Sequence, residues 1–350
     1  MLRCVSLFSG CGGLDLGLHR AGFRTVLATD SEPLCAETYA ANFGCVPFLV
    51  DRIGNISRAT LLNALGSDVG RIDLLCGGPP CPPFSKSRFY RKDKPRALED
   101  PNGWETVNGY LDVLDWLRPR AFILENVRGL AYRVHRDALE AILERSEELG
   151  YKTSWTVLNA ADFGVPQIRE RCFVVGTLDR GFDFPTATHA QKPTGNLLPW
   201  ICSGDVLCDL DTEENASDEG HFAGGQHNHL LKEVPPGSNY LHFTAERGHP
   251  KALFKWRSRY WSFLLKLSPD LPSWTIQARR SNNMGPFHWR NRILRIDEIK
   301  RLQTFPDDFI FCGTVEQQWR QIGNAVPPVL AEAIGRMVAL ALTGELKDAA

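Results

Sequence analysis

Arg3-Cys4-Val5-Ser6-Leu7-Phe8-Ser9-Gly10-Cys11-Gly12-Gly13 is the stretch on which the fold turns, and the helical pattern Leu14, Leu16, Leu18 follows it directly. Arg3 to Phe8 is an apolar run of strand length that ends at a cluster of breakers. A second run, Thr25 to Ala28, leads to Asp30. Strand, glycine-rich turn, helix, strand and terminal acid together suit a nucleoside ligand. Glycines let the backbone approach it, and an acid about twenty positions on can accept hydrogen bonds from ribose hydroxyls. The turn is not G-x-G-x-x-G, so a dinucleotide is not specifically indicated. A tight strand-to-helix turn with no ligand fits the same residues.

Outward from this unit the pattern repeats. Ile72 to Cys76 and Ala121 to Leu124 are apolar stretches of buried-strand length. Asp137 to Leu149 reads as an amphipathic helix, with Asp137 as cap, Glu140 completing a capping box and Gly150 as stop; Leu139, Ile142, Leu143 and Leu149 form its inward face. Alternating strands and helices predict an α/β fold with a doubly wound, mostly parallel sheet. At 350 residues, one large or two unequal domains are expected. With 43% hydrophobic and 23% charged residues and a net charge of −1, any nucleic-acid surface must come from local segregation of charge. No signal peptide is read and no apolar run long enough to span a bilayer, so a cytoplasmic protein with no membrane partner is expected. Its ten cysteines then read as reduced thiols. No metal site is expected: His227 and His229 with Cys202 and Cys208 read as loop residues.

The sharpest chemical signal is Gly77-Gly78-Pro79-Pro80-Cys81-Pro82-Pro83-Phe84-Ser85, which follows the strand ending at Cys76. Open parallel sheets place ligands at the carboxyl ends of their strands. Prolines around Cys81 deny it a regular element and hold the thiol in a stiff loop, whereas an inert cysteine usually sits inside a strand or helix. Glu125, in Glu125-Asn126-Val127, ends another apolar strand. It could cap the next element, or, with its pKa raised by desolvation, donate a proton.

Beyond about Phe182 the composition changes. Asp205 to Glu219, with Asp209, Asp211, Glu213, Glu214 and Asp218, reads as a solvated acidic loop without basic partners. From Tyr240 to Arg295 the balance reverses, with Arg247, Lys251, Lys255, Arg257, Arg259, Lys266, Arg279, Arg280, Arg290, Arg292 and Arg295 against only Glu246 and Asp270. Aromatic residues including Trp256, Tyr260, Trp261 and Trp274 are interleaved with them. Pro327 and Pro328 open a final apolar helix reaching about Leu342.

Phe8-Ser9-Gly10-Cys11-Gly12-Gly13, Pro80-Cys81-Pro82-Pro83-Phe84-Ser85, Glu125-Asn126-Val127, Gln167-Ile168-Arg169-Glu170-Arg171 and Gln321-Ile322-Gly323-Asn324-Ala325-Val326 resemble, in order, the signature blocks of cytosine-5 DNA methyltransferases. Arg301 to Phe309 resembles a further block. The likeness runs from near residue 3 to about residue 340, except for a variable stretch between roughly 180 and 272. It implies a Rossmann-like methyltransferase fold that takes S-adenosyl-L-methionine, with a catalytic domain over 1–180, a smaller irregular target-recognition domain over 181–291, and a segment over 292–350 returning to the catalytic domain. By the same resemblance Cys81 adds to C6 of a flipped cytosine, Glu125 protonates N3, and Arg169 and Arg171 contact the base oxygen and a nearby phosphate. Phe8, Ser9, Gly10, Gly12, Asp30, Asp51, Pro80 and Asn324 would line the cofactor pocket, although Asp51 also reads as an ordinary strand-end acid. Double-stranded DNA is the implied partner.

Gln277, Arg279 and Arg280 form the densest set of side chains able to read base edges, and Ser85 joins them as a DNA contact. For any single one of these arginines, phosphate contact is the better reading. Two positions depart from the family pattern: Arg295 where a threonine is usual, and Trp104-Glu105 after Gly103. A transfer-RNA enzyme on the same scaffold would carry a Cys-Phe-Thr element, which does not occur. An inactive DNA-binding relative is disfavoured by the intact Cys81, Glu125, Arg169 and Arg171, and an oxidoreductase leaves the later blocks unexplained. The short chain without an added regulatory domain suits a monomeric bacterial restriction-modification methylase, functionally paired with an endonuclease.

Overall fold

The computed structural model describes residues 1–80, 101–217 and 219–345. Cys81, Ser85 and Asp218 lie outside the described residues. The first half alternates as expected: β1 (Leu2–Leu7), α1 (Gly13–Arg20), β2 (Phe23–Asp30), α2 (Pro33–Phe43), β3 (Phe48–Val50), α3 (Arg58–Leu65), β4 (Leu74–Gly77), α4 (Pro101–Leu117), β5 (Ala121–Val127), α5 (Arg136–Glu148), β6 (Lys152–Asn159), β7 (Gln167–Ile168) and β8 (Glu170–Thr177). A seven-stranded sheet has the order β3-β2-β1-β4-β5-β8-β6. Its first five strands are parallel, and β8 runs antiparallel to both β5 and β6.

The central strands are apolar throughout because both faces are covered. On one face Val5, Leu75, Phe122 and Leu124 pack with Leu61, Val107, Leu111, Leu139 and Ile142 from α3, α4 and α5. On the other, Cys4, Leu74 and Ile123 meet Leu14 and Leu18 of α1 and Leu330, Ile334 and Val338 of the last helix. The polypeptide between holds short elements: β9 (His189–Ala190), β10 (Leu198–Pro199), α6 (Ser203–Leu207), α7 (Glu213–Ala216), α8 (Asn228–Leu231) and β11 (Ser273–Trp274). It is followed by α9 (Ile296–Leu302), α10 (Val315–Asn324) and α11 (Pro328–Thr343). Gly17 lets α11 lie close on α1, since a side chain there would start 2.3 Å from the Pro328 carbonyl. A third core joins Phe243, Phe263 and Phe287 to Ile299, Leu302, Phe305, Trp319 and Ile322, so α9 and α10 share their interior with the irregular region.

Two sequence expectations are corrected. Helix α5 begins at Arg136 with His135 at the N-cap position and no side-chain cap. A 3-10 turn, Arg133–His135, runs straight into it, so Asp137 falls in the first turn and Glu140 pairs with Arg136 at 2.6 Å. The acidic stretch is not a free loop: Asp209 pairs with Arg301, and Asp211 accepts from Trp289 Nε1 at 3.0 Å and from Arg290. Val315–Thr343 contains an apolar window of membrane-spanning length, but that window is half buried and the stretch is broken at Ala325–Pro327 into α10 and α11.

Candidate active site

The carboxyl ends of β1, β2 and β3 bring together the residues expected to hold a nucleoside. Phe8 turns the chain out of β1 at φ 53°, and the Ser9 amide donates to the Thr29 carbonyl at 2.8 Å. Asp30 ties the turn from the neighbouring strand: its carboxylate accepts from the Gly10 amide at 2.9 Å and the Glu32 amide at 3.0 Å. Burial pushes this carboxyl above its ordinary range, and the amide bonds partly offset the effect. Asp51 lies alongside, its amide donating to the Asp30 carbonyl at 3.1 Å. Asp51 Oδ1 accepts from the Arg52 amide and from Asn55 Nδ2, both at 2.7 Å. At Gly12, φ is 87° and a β-carbon would stand 2.3 Å from the Phe43 ring, so only glycine fits. Gly10 faces open space. The C-terminal block closes on this turn through Cys11 Sγ, 3.6 Å from the Gln321 carbonyl, and leaves Asn324 exposed at the end of α10.

Beneath the turn is a support that the sequence did not reveal. Ser9 Oγ donates to Ser6 Oγ at 2.9 Å, and Ser6 Oγ donates to Asp15 Oδ2 at 2.9 Å. Asp15 is 1% exposed and also accepts from Thr25 Oγ1 and Tyr39 Oη. Between Leu14 and Leu16 it looks like a solvent-facing helix residue. The only signal was its place in the first turn after the glycines.

The second half of the site is built on β4, β5 and β8. Glu125 is 7% exposed, and its Oε1 lies 2.9 Å from Arg171 Nε. The antiparallel β5–β8 pair sets this geometry by placing Glu125 opposite Phe173 and Val127 opposite Arg171. Burial raises the Glu125 carboxyl above its ordinary pKa, with Arg171 and Arg169 only partly offsetting it. A β-carbon on Gly78 would come 2.7 Å from Glu125 Oε2, and Asn126 Nδ2 donates to the Pro79 carbonyl at 3.2 Å. Glu125 and Asn126 therefore rest against Gly78 and Pro79, which precede Cys81 in the sequence by three and two residues.

Arg169 has a different setting from the expected base contact. It is 1% exposed, and its guanidinium donates to the carbonyls of Ile276 at 3.1 Å, Gly323 at 2.7 Å and Ala325 at 2.9 Å. Gln167, fully buried, donates to the Leu302 carbonyl and Gln303 Oε1, while its own Oε1 accepts from the Ile276 amide. The Gln-x-Arg-x-Arg run thus splits in function. Gln167 and Arg169 bolt β7 to the irregular region and to α9 and α10, and Arg171 alone is brought to the carboxylate.

The family model for C-5 cytosine-specific DNA methylases matches residues 2–339. The chain belongs to that family. This methylase is 40% identical to the Type II methyltransferase M.SacI of Streptomyces achromogenes, over 96% of its own chain and 92% of the relative. It is 34% identical to M.NgoFVII of Neisseria gonorrhoeae, over 93% and 83% respectively. Its fold matches a prophage-encoded E. coli protein described as a DNA modification methyltransferase (TM-score 0.69, 23% identity, 99% and 100% of the two chains). EhMeth of Entamoeba histolytica gives TM-score 0.64 at 17% identity, covering 99% of each chain. The protein is a DNA (cytosine-5) methyltransferase of the restriction-modification kind.

Among the described residues between 240 and 295, basic side chains sort into buried and exposed groups. Arg292 is fully buried and donates to both oxygens of Glu298 at 2.9 and 2.6 Å. His288 Nε2 lies 3.6 Å from the same carboxylate, and burial lowers the imidazole to about 4. Lys266 is also buried, bonded to Asn291 Oδ1 at 2.6 Å. Arg295, at the residue departing from the family pattern, donates to the Asn215 and Ser217 carbonyls. These side chains hold the fold. Arg247, Lys251, Lys255, Arg257 and Arg259 remain exposed.

The expected reading cluster is also divided. Gln277 lines a cleft with Arg257 and Trp261, its Nε2 donating to Ser262 Oγ at 3.1 Å. Arg280 instead donates to the Gly220 carbonyl at 2.9 Å, lies 3.8 Å from Glu316 and lines a different cavity. Arg279 is exposed.

Proposed function

We propose that this methylase transfers a methyl group from S-adenosylmethionine to C5 of a cytosine flipped out of a specific duplex site, through a covalent bond between Cys81 and C6. The observation that carries the reading is the buried Glu125–Arg171 pair packed against Gly78, three residues before Cys81 in the sequence. Cytosine C5 is a poor nucleophile, and addition of a thiolate at C6 makes it enamine-like. Addition drives electrons toward N3. A carboxyl whose pKa burial raises, as at Glu125, is the better placed to deliver a proton there, and Arg171 can hold the neighbouring base oxygen. Loss of the C5 proton then expels Cys81. Extruding the base costs roughly a few kcal/mol.

The residues of the glycine turn fit a nucleoside cofactor. Gly10 opens to free space beside two carboxylates on adjacent strand ends, Asp30 and Asp51, which can accept from ribose hydroxyls and an adenine amino group. Phe8, Ser9, Gly12, Pro80 and Asn324 would complete the pocket, and the bound cofactor would supply an electrophilic methyl on a sulfonium. The division into 1–180, 181–291 and 292–350, a monomeric and cytoplasmic enzyme, and pairing with a restriction endonuclease belong to the same reading.

Labelled methyl transfer to random-sequence duplex DNA, followed by sequencing of the modified cytosines, tests it. One defined site methylated at C5 is expected, with Glu125→Gln slowing the chemical step while cofactor affinity is kept. Transfer to transfer RNA in preference to duplex DNA would overturn it.

A further inference from the structure

Among the described residues, Trp256, Tyr260, Trp261 and Trp274 are 37, 57, 49 and 38% exposed and share one cleft of about 1100 Å³. Exposed aromatic residues scattered singly need no explanation, but four on one concave surface mark a binding site. The cleft is cationic as well. Arg247 and Arg257 each hold their guanidinium 5.9 Å from the Trp256 ring centroid, Arg259 lies on the same wall, and among the described residues no carboxylate lines it. Trp261 and Trp274 meet edge to face at 5.5 Å and 65°, and both remain partly exposed in the cleft.

The position of the cleft ties it to the reaction. Trp274 lies in β11, paired in parallel with Ile168 of β7, and Thr275 Oγ1 donates to the Ile168 carbonyl at 2.8 Å. Arg169 and Arg171 follow immediately along that chain. The cleft therefore adjoins the segment that runs from β7 into β8, where Arg171 pairs with Glu125.

Ring faces gain little from a stacked duplex, whose base faces are already covered; base edges are read instead by amide and guanidinium forks. Indole faces flanked by guanidiniums suit a base whose own faces are bare, with the cations meeting its phosphate. We propose that this cleft takes a second nucleotide of the DNA site, other than the target cytosine, with its base held out of the stack against Trp261 and Trp274. The proposal rests on the enzyme's action on duplex DNA and adds an unstacked position to its substrate.

The test is a double-mutant cycle on the enzyme's own mapped site. Each nucleotide of both strands is replaced in turn by an abasic residue, and affinity is measured by fluorescence anisotropy for wild type, Trp261→Ala and Trp261→Phe. Trp261→Ala is expected to weaken binding about tenfold, and Trp261→Phe, which keeps a stacking face, no more than about threefold. At one position other than the target cytosine, an abasic residue should cost wild type about tenfold but Trp261→Ala less than about twofold, because the stacking partner is already gone. Equal abasic penalties in both proteins at every position would overturn the proposal and leave the rings as contacts to sugar and phosphate. Should Trp261→Ala fail to fold, Trp256→Ala and Trp274→Ala are run through the same cycle against the same criterion. Methylation of the intact site by wild type is scored separately, so failure of the cleft and failure of the methyl-transfer reading give different results.

Discussion

Replacing Arg169 with methionine should unfold the enzyme at lower temperature rather than simply silence it. The guanidinium donates to three carbonyls at 3.1, 2.7 and 2.9 Å, on the irregular region, on the last turn of α10 and on Ala325 just beyond it. A hydrogen bond from a charged group contributes roughly 1.5–3 kcal/mol, and relaxation around the shorter side chain recovers part of the sum. A net loss of about 3–5 kcal/mol follows, in the range for breaking a buried charged network. With an unfolding entropy of about 2.1 cal/mol/K per residue over 350 residues, each kcal/mol shifts Tm by about 1.4 °C, so a fall of about 4–7 °C is expected. Differential scanning calorimetry and single-turnover methylation at 15 °C separate the two effects. Arg169→Met melting within a degree of wild type, yet losing a hundredfold or more in rate, would refute the structural role and return Arg169 to direct contact with the base.

Because burial raises the Glu125 carboxyl, the protonated form persists above the ordinary carboxylate range and is lost as pH rises through the shifted value; single-turnover rates should fall along that limb in wild type, and the limb should vanish in Glu125→Gln. An identical limb in the variant would assign it to another group. His288, held neutral to about pH 4 against an ordinary value of 6.5, lets the unfolded chain bind a proton that the fold refuses, so stability should drop by up to about 3 kcal/mol as pH falls from 6.5 toward 4. Urea titrations of wild type and His288→Gln at pH 7.5 and 5 check this, and parallel losses in the two proteins would count against it. Gly10→Ala, at φ 55° but in open space, should cost about 1–2 kcal/mol. Gly12→Ala, which also collides with Phe43, should lose about 1–3 kcal/mol more by the same unfolding measurement, with weaker cofactor binding by calorimetry.

The parallel core was legible because Val5, Leu75, Phe122 and their neighbours are apolar on both strand faces, a pattern written locally in the chain. The acids at strand ends were legible for the same reason: once Ala28 and Leu124 are placed in strands, Asp30 and Glu125 fall at the edge where ligands gather. What local pattern cannot carry is pairing across the chain. Asp209 and Asp211 look solvated until Arg301 and Arg290 arrive from some eighty or ninety residues away. Arg292 looks like a DNA contact until Glu298 closes on it from the next helix, and Arg169 looks like its neighbour Arg171 until β11 and α10 pack around it. Charge density along the sequence therefore overstated the set of basic side chains left exposed.

The central claim is that Cys81 bonds to the target base, and duplex DNA carrying 5-fluorocytosine at the mapped site tests it most directly. Fluorine at C5 cannot leave as a proton does, so the enzyme should stall after methyl transfer. The expected result is a denaturation-resistant protein–DNA complex that forms only with S-adenosylmethionine, whose proteolytic fragments carry the adduct on Cys81, and which Cys81→Ser does not form. Wild-type enzyme that methylates ordinary DNA yet never traps on the fluorinated site, or that traps through another residue, would contradict the account.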